Sequence, residues 1–425
     1  MVRTHRTFLI VGAGLAGAKA AETLRAEGFT GRVILVGDEH ERPYARPPLS
    51  QGYLSGVEHR AGLYVHEPAW YAAADVELHL GQPAVRLDPA ARTVRLGDGT
   101  RIRYDALLLA TGAEPRRLDI PGTGLAGVHH LRRLAHAQRL RGALTALGRD
   151  GGRLVVAGAG WTGLEVAAVA RRLGCRVTVL EPRPTPLHRP LGPEVGARLA
   201  AWHRAHGVTF HFGVRPTEIL GRDGMVCAVR TDDGREHPAQ QVLAAIGAAP
   251  RTALAEAAGL ALADGPDGGI AVDTALRTSD PHIHAAGDAA ALPAPDGAGR
   301  LRLAHHAHAV DSGPAAARGM LGRPVHHRPL PYVTSRQYGR GLVYTGYAPP
   351  GSYDRVIWRE PAGGQADGEE FAAFWLRGEV VVAALAVGVA PDGAALRRLV
   401  SAGHPVDPAA LGDPRVPLAA LAVGG

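Results

Sequence analysis

Short runs of purely apolar residues that end in small ones recur along this chain. Phe8-Leu9-Ile10-Val11 runs into Gly12-Ala13-Gly14-Leu15-Ala16-Gly17, and Leu154-Val155-Val156-Ala157 runs into Gly158-Ala159-Gly160-Trp161-Thr162-Gly163. Apolar runs without polar alternation predict strands buried on both faces, as in a parallel sheet. After the first run, Ala18, Ala21 and Leu24 repeat at helical spacing, and Arg32-Val33-Ile34-Leu35-Val36 predicts the next strand. After the second, the pattern predicts a helix from Leu164 to about Leu173, then a strand from Arg176 to Leu180. Two more apolar stretches, Ala106 to Gly112 and Gln241 to Gly247, read as a strand meeting a small-residue turn, Thr111-Gly112, and a strand followed by glycine, Gly247. One plan of strand, turn, helix and strand is thus used twice.

Beyond residue 250 the chain is expected to return to the first domain. Ile270 to Asp273 and Ile283 to Asp288 read as short strands, Pro293 to Gly299 as a loop, and Ala304 to Met320 as a helix. From about 325 the pattern changes to alternation. Pro331 to Tyr338 pairs with Leu342 to Tyr347, and Glu370 to Leu376 with Val380 to Leu385, ahead of a helix near Ala394 to Leu399. The expected class is α/β, with two Rossmann-like nucleotide-binding domains and a C-terminal α+β domain carrying an antiparallel sheet. The expected boundaries are 1–112 with 248–322, then 113–247, then 323–425.

The glycine spacing has a chemical reading. In each motif the first glycine permits the turn and the second lets backbone approach a pyrophosphate. The third lets the helix pack close to the strand, so that its N-terminus points at the phosphates. Asp38 lies 24 residues beyond Gly14, at the end of the next strand, where a carboxylate can accept from an adenosine ribose. Glu181 holds the matching place after the second motif and would repel a 2′-phosphate, favouring NADH over NADPH. Arg183 and Arg189 follow closely and could accommodate such a phosphate. For one motif alone, glycines that are merely turns would be the competing account. Two together imply two bound dinucleotides, and the commonest reason for that is electron transfer between them.

Composition narrows the field. The 425 residues are 46% hydrophobic and 20% charged, enough for two or three folded domains. The net charge is +7, yet Lys19 is the only lysine, a skew that reflects base composition better than a nucleic-acid surface. A diffuse positive surface can still steer an acidic protein partner. Cys175 and Cys227 form no Cys-x-x-Cys, so a redox dithiol is excluded; both read as inert apolar residues in a reducing cytoplasm. Arg3, His5 and Arg6 ahead of an apolar stretch mimic a signal peptide, but the glycine spacing explains that stretch as a first nucleotide-binding strand. The run Val380 to Ala390 is too short to span a membrane and reads as a strand.

Several strings together resemble one family over nearly the whole chain. They are Arg42-Pro43-Tyr44-Ala45-Arg46-Pro47-Pro48-Leu49-Ser50, Gly160-Trp161-Thr162-Gly163-Leu164-Glu165, Thr278-Ser279-Asp280-Pro281-His282-Ile283-His284-Ala285-Ala286-Gly287-Asp288, and the ending Val406-Asp407-Pro408 to Pro417-Leu418. The chain resembles the FAD-dependent pyridine nucleotide-disulfide oxidoreductases, with their glutathione-reductase-like fold. Within them it is similar to the ferredoxin reductase branch, of putidaredoxin and rubredoxin reductase type, that serves oxygenases and cytochromes P450. The resemblance implies that Gly12, Ala13, Gly14, Leu15, Ala16 and Gly17 hold FAD together with Asp38, Val85, Thr111, Gly112, His305 and His306. Arg46 would neutralise the FAD pyrophosphate, Asp288 would bond the ribityl chain, and the helix starting at Ala304 to His306 would face the flavin N1 and O2. NADH would lie on Gly158, Gly160, Trp161, Thr162, Gly163, Glu181 and Gly247, with Glu165 beside the nicotinamide. No metal is implied.

Departures from the branch cluster around the expected flavin. A lysine usually follows the Pro-Pro-Leu-Ser string and pairs with the glutamate; here Gln51 stands there, leaving Glu165 uncompensated and more readily protonated. A Leu-Glu-His-Trp segment with a following asparagine becomes Leu303-Ala304-His305-His306 with His308. Thr334 and Arg336 replace a tryptophan and an aspartate before Gln337-Tyr338. Glu165, Gln51 and His306 are the candidate catalytic residues. The expected function is an NADH-dependent FAD oxidoreductase that reduces an acidic ferredoxin-type iron–sulfur protein. A stand-alone flavoenzyme acting on a small molecule is the alternative, and the third is a flavoprotein sensor acting through partner binding. Neither nucleic acid nor membrane is an expected partner.

Overall fold

In the computed structural model the described residues are 6–265, 268–294, 299–361, 369–388 and 392–422. The middle of the expected Pro293 to Gly299 loop, the last two residues of the Val380 to Ala390 run, and Arg3 and His5 lie outside them. Six helices exceed two turns among the described residues: α1 (Leu15–Ala26), α2 (Leu134–Arg149), α3 (Trp161–Arg172), α4 (His188–Ala205), α5 (His306–Met320) and α6 (Gly393–Ala402). In α4 the helix breaks at Gly192, whose φ of 74° is outside the helical range. None of the described helices is long and apolar enough to cross a membrane.

The chain divides into two compact units. The first comprises 1–45, 60–114 and 248–329; the second comprises 46–59, 115–247 and 330–425. The segment 46–59 therefore belongs with the second unit, and residues from 330 onward group with it too. Pattern alone shows neither association, because both depend on contacts between distant segments.

In the first unit a five-stranded parallel sheet runs in the order Ile283–Ala285, Ala106–Leu109, Thr7–Val11, Arg32–Val36, Val76–His79. Its central strands carry Leu9, Ile10, Val33, Ile34, Leu35, Leu107 and Leu108 fully buried, as unbroken apolar runs require. Beside it, Ala84–Asp88, Thr93–Leu96 and Arg101–Arg103 make a small antiparallel sheet, the last two joined through the turn at Asp98-Gly99. Small residues bring α1 and α5 close, since a Cβ on Gly313 would lie 2.3 Å from the Ala16 carbonyl oxygen.

The second unit repeats the plan. Its parallel sheet runs Val208–Phe212, Arg176–Glu181, Arg153–Ala157, Gln241–Ala244, Val128–His130. A five-stranded antiparallel sheet follows in the order Tyr332–Gln337, Arg340–Gly346, Val380–Gly388, Phe371–Arg377, Arg355–Arg359. Val156, Leu164 and Val179 from the nucleotide-binding half share one apolar core with Leu342, Trp375 and Leu385 of this sheet. The edge strand Arg355–Arg359 is an addition to the four strands expected from pattern, and α6 extends past the expected helix at both ends.

Candidate functional site

In the first unit Gly12 has φ of +124°, and a Cβ there would meet the Ala110 carbonyl oxygen at 2.0 Å. On Gly17 a Cβ would lie 2.1 Å from the Gly12 oxygen. These two glycines are demanded by turn and packing. At Gly14, the residue capping α1, a Cβ would meet nothing within 4 Å. The fold does not need glycine at Gly14; a ligand drawn against the backbone does. No side chain caps α1, and its first turn carries no acidic residue, so its N–H groups are left for an anion.

The second unit matches this position by position. Gly158 has φ of +104° and faces the Ala245 oxygen, while a Cβ on Gly163 would lie 2.2 Å from the Gly158 oxygen. At Gly160, which caps α3, a Cβ again meets nothing within 4 Å. Glu181 is fixed by backbone, its Oε2 accepting from Ala159 N at 2.7 Å and its Oε1 from Arg183 N at 2.9 Å. Gly247, at φ +102°, turns the chain after the sheet, with Trp161 half-buried and Thr162 exposed at the start of α3. Both cradles fit a dinucleotide.

Other expected residues of the first cradle are distributed more broadly. Asp38 pairs with Arg251 at 3.0 Å, and the Thr111 hydroxyl and Gly112 carbonyl anchor the Arg251 backbone at 2.7 and 2.9 Å. Asp288 is buried in a 3-10 turn, and its neighbour Gly287 donates to Ser312 Oγ at 2.9 Å. Gly287 also lies against Ala16 and Ala309, which gathers this turn, the start of α1 and the first turn of α5 in one place. Helix α5 begins at His306 rather than Ala304, because His305 is extended at φ −135° and serves as its cap. His306 is exposed, whereas His308 is buried with neither ring nitrogen hydrogen-bonded. Val85 is 49% exposed on its strand. Arg46 groups with the second unit, where its Nη1 donates to the Arg132 carbonyl at 2.5 Å.

Glu165, on α3, is the most unusual group of the second unit. It is buried, and its carboxyl accepts from Ser50 Oγ at 2.5 Å, Ser335 Oγ at 2.6 Å and Gln51 Nε2 at 2.9 Å. All three donors are neutral, so burial dominates and pushes the carboxyl up to about 7. Gln51 thus contacts Glu165 as an amide and supplies no charge. Cys175 is buried, and Cys227 is exposed on the strand Met225–Thr231.

Residues 6–311 match the family model described as pyridine nucleotide-disulphide oxidoreductase, and residues 332–422 match the one described as reductase C-terminal. The chain belongs to the pyridine nucleotide-disulphide oxidoreductase family. Rhodocoxin reductase of Rhodococcus erythropolis is 37% identical over 96% of this chain and 92% of its own. The ferredoxin–NAD(+) reductase component of the anthranilate 1,2-dioxygenase system of Burkholderia cepacia is 38% identical over 97% and 98%. Among solved structures, the covalent putidaredoxin reductase–putidaredoxin complex matches with a TM-score of 0.89 at 34% identity, covering 97% of each chain. A ferredoxin reductase from Rhodopseudomonas palustris matches with a TM-score of 0.90 at 33% identity, over 98% of this chain and all of that one.

Within this family member, pattern reading located both cradles and Glu165. It did not find Ser50 and Ser335 as partners of Glu165, nor His203 and Gln337 behind them. The available signal was a serine next to Gln51 and another two residues before Gln337, both inside strings already noted.

Proposed function

We propose that this protein oxidises NADH and passes the electrons by way of FAD to a small iron–sulfur protein of the ferredoxin type. The observation that carries the proposal is the pair of cradles, each with two glycines required by the fold and a central one, Gly14 or Gly160, that the fold does not require. The relatives matched over nearly the whole chain include reductase components of dioxygenase systems. We assign FAD to 1–112 with 248–322, NADH to 113–247, and the partner-facing role to 323–425.

Bound FAD supplies the conversion of one two-electron donor into single electrons, which nicotinamide does poorly. The chain's own work is orientation and charge. The N–H groups behind Ala13, Gly14, Leu15 and Ala16 bind the FAD pyrophosphate, and Asp38, held by Arg251, accepts from its ribose. Asp288 bonds the ribityl hydroxyls, and the start of α5, where the His305 side chain makes no capping hydrogen bond, offers N–H groups and positive dipole to a developing anion. The start of α3 serves the NADH pyrophosphate, and the Glu181 carboxylate accepts from a 2′-hydroxyl and repels a 2′-phosphate. Burial brings Glu165 to about 7, where it can exchange a proton near neutral pH. Two free cysteines and an intracellular reductant support a cytoplasmic location.

The purified protein should be yellow and should bleach under NADH without oxygen. Adding an oxidised ferredoxin should restore the colour and support cytochrome c reduction that is absent without it. With a net charge of +7 on the chain, that rate should fall with rising salt for an acidic ferredoxin. The uncompensated Glu165–Gln51 pair favours one second reading, a reductase of small molecules. Bleaching that no ferredoxin reverses, but a small organic oxidant does, would select it. A colourless chain that takes up no flavin would overturn both.

A further inference from the structure

Behind Glu165 a hydrogen-bonded chain runs through the interior of the second unit. Ser335 Oγ, which donates to Glu165, accepts from Gln337 Nε2 at 3.1 Å. The Gln337 Oε1 lies 2.7 Å from His203 Nε2, and the Tyr338 hydroxyl lies 2.9 Å from His203 Nδ1. Glu165, Ser335, Gln337 and His203 are all buried, and Tyr338 is half-buried. The donors follow from chemistry. An amide oxygen only accepts, so His203 donates from Nε2. Burial holds the ring neutral, pushing it down to about 4, so Nδ1 carries no proton and accepts from Tyr338. The other end of the amide donates to Ser335, leaving that hydroxyl's one proton for Glu165. Every donor points toward the carboxylate.

We propose that Tyr338, His203, Gln337 and Ser335 are positioning residues forming one polarised chain, which sets the proton affinity of Glu165 and reverses as a unit when Glu165 is protonated. The reversed state is equally complete. Protonated Glu165 donates to Ser335, Ser335 to the flipped Gln337 oxygen, the amide nitrogen to His203 Nε2, and His203 Nδ1–H to the Tyr338 oxygen. The proton sits on Oε1, the oxygen facing Ser335, so Oε2 remains a carbonyl oxygen and still accepts from Ser50. A half-reversed chain would set two donors or two acceptors face to face in the interior, so the two complete states exclude the mixtures.

The inference rests on the proposed redox reading for its purpose. Oxidation of NADH by two one-electron acceptors yields NAD+, two electrons and one proton. A buried carboxyl that exchanges a proton close to neutral pH is suited to hold that proton. No arginine, lysine or histidine pairs with Glu165 among the described residues, and Ser50, Gln51 and Ser335 are the groups that face it. His203 is faced by Trp202, Phe210 and Tyr338 and by His206, which stacks on Tyr338 and lies 3.4 Å from Glu369, itself 3.3 Å from Arg340.

The test is nitrogen NMR of the FAD-loaded full chain labelled at histidine, with the Glu165 carboxyl followed by infrared difference spectra against Glu165→Gln. His203 should carry its proton on Nε2 above the Glu165 titration and on Nδ1 below it, while staying neutral throughout. Ser335→Ala should cut the chain and leave the His203 tautomer indifferent to pH. Tyr338→Phe, the mildest substitution, frees the tautomer and should move the Glu165 titration up by about one pH unit. A tautomer that stays fixed across the Glu165 titration, or a titration that Tyr338→Phe leaves in place, overturns the proposal. These signals do not depend on ferredoxin, so a chain that reverses in a protein with no ferredoxin activity would refute only the functional reading.

Discussion

Six glycines with the same spacing do two different jobs. Gly12, Gly17, Gly158 and Gly163 stand where an added Cβ would strike a backbone oxygen; Gly14 and Gly160 stand where it would strike nothing. Gly163→Ala should therefore lower stability by roughly 1–3 kcal/mol, read as a drop in thermal midpoint. Gly160→Ala should leave the midpoint in place and raise the KM for NADH roughly tenfold or more, as the loss of one close phosphate contact implies. Glu165 gives a second prediction at this scale. Its carboxyl, raised from 4.5 to about 7, contributes stability that is complete below pH 4.5 and lost as pH rises through about 7. Glu165→Gln should abolish that dependence, so thermal midpoints measured from pH 4.5 to above 7 should gain on the parent at the alkaline end. The glycines were legible in sequence because backbone geometry dictates them locally. Ser50, Ser335 and His203 were not, because Ser50 and Ser335 reach Glu165 from distant segments, His203 connects to it only through Gln337 and Ser335, and none carries a spacing of its own.

Elements buried on both faces announce themselves, and half-buried ones do not. Thr7–Val11, Arg32–Val36 and Arg153–Ala157 are near-continuous apolar runs and were located within a residue or so. The strand Arg355–Arg359 is flanked by arginines, lies at a sheet edge, and has no fully buried residue to mark it. The start of α5 was placed two residues early because a histidine cap looks like a helical residue in pattern, and only its extended backbone separates it from the helix. The start of α6 has a clear chemical cause, since the Asp392 side chain accepts from Ala394 N and Ala395 N. Asp392→Ala should cost about 1 kcal/mol. It should appear as faster hydrogen exchange confined to α6 and the strands packed on it.

Over the whole molecule, buried histidines govern the response to acid. Burial pushes His203 and His284 down to about 4 and His308 to about 3, from 6.5. Histidines held neutral in this way contribute stability that is full above pH 6.5 and lost as pH falls through those lower values. The protein should lose stability progressively below pH 6.5, against the trend set by Glu165. His308→Leu should weaken that loss, since neither ring nitrogen of His308 has a hydrogen-bond partner to forfeit among the described residues. Denaturant midpoints along a pH series would check this. The double nucleotide-binding plan was readable in the sequence at this scale, whereas the joint interior of residues 115–247 and 330–422 was not, because apolar periodicity marks a face without saying what covers it. That joint interior constrains engineering. Trp375, Leu385 and Leu342 cannot be removed without opening the apolar core that also holds Val156, Leu164 and Val179. A chimera that transplants the C-terminal sheet alone, to borrow another reductase's choice of electron acceptor, would leave a greasy wound on both pieces. The exchangeable cassette is residues 115–247 and the C-terminal sheet together.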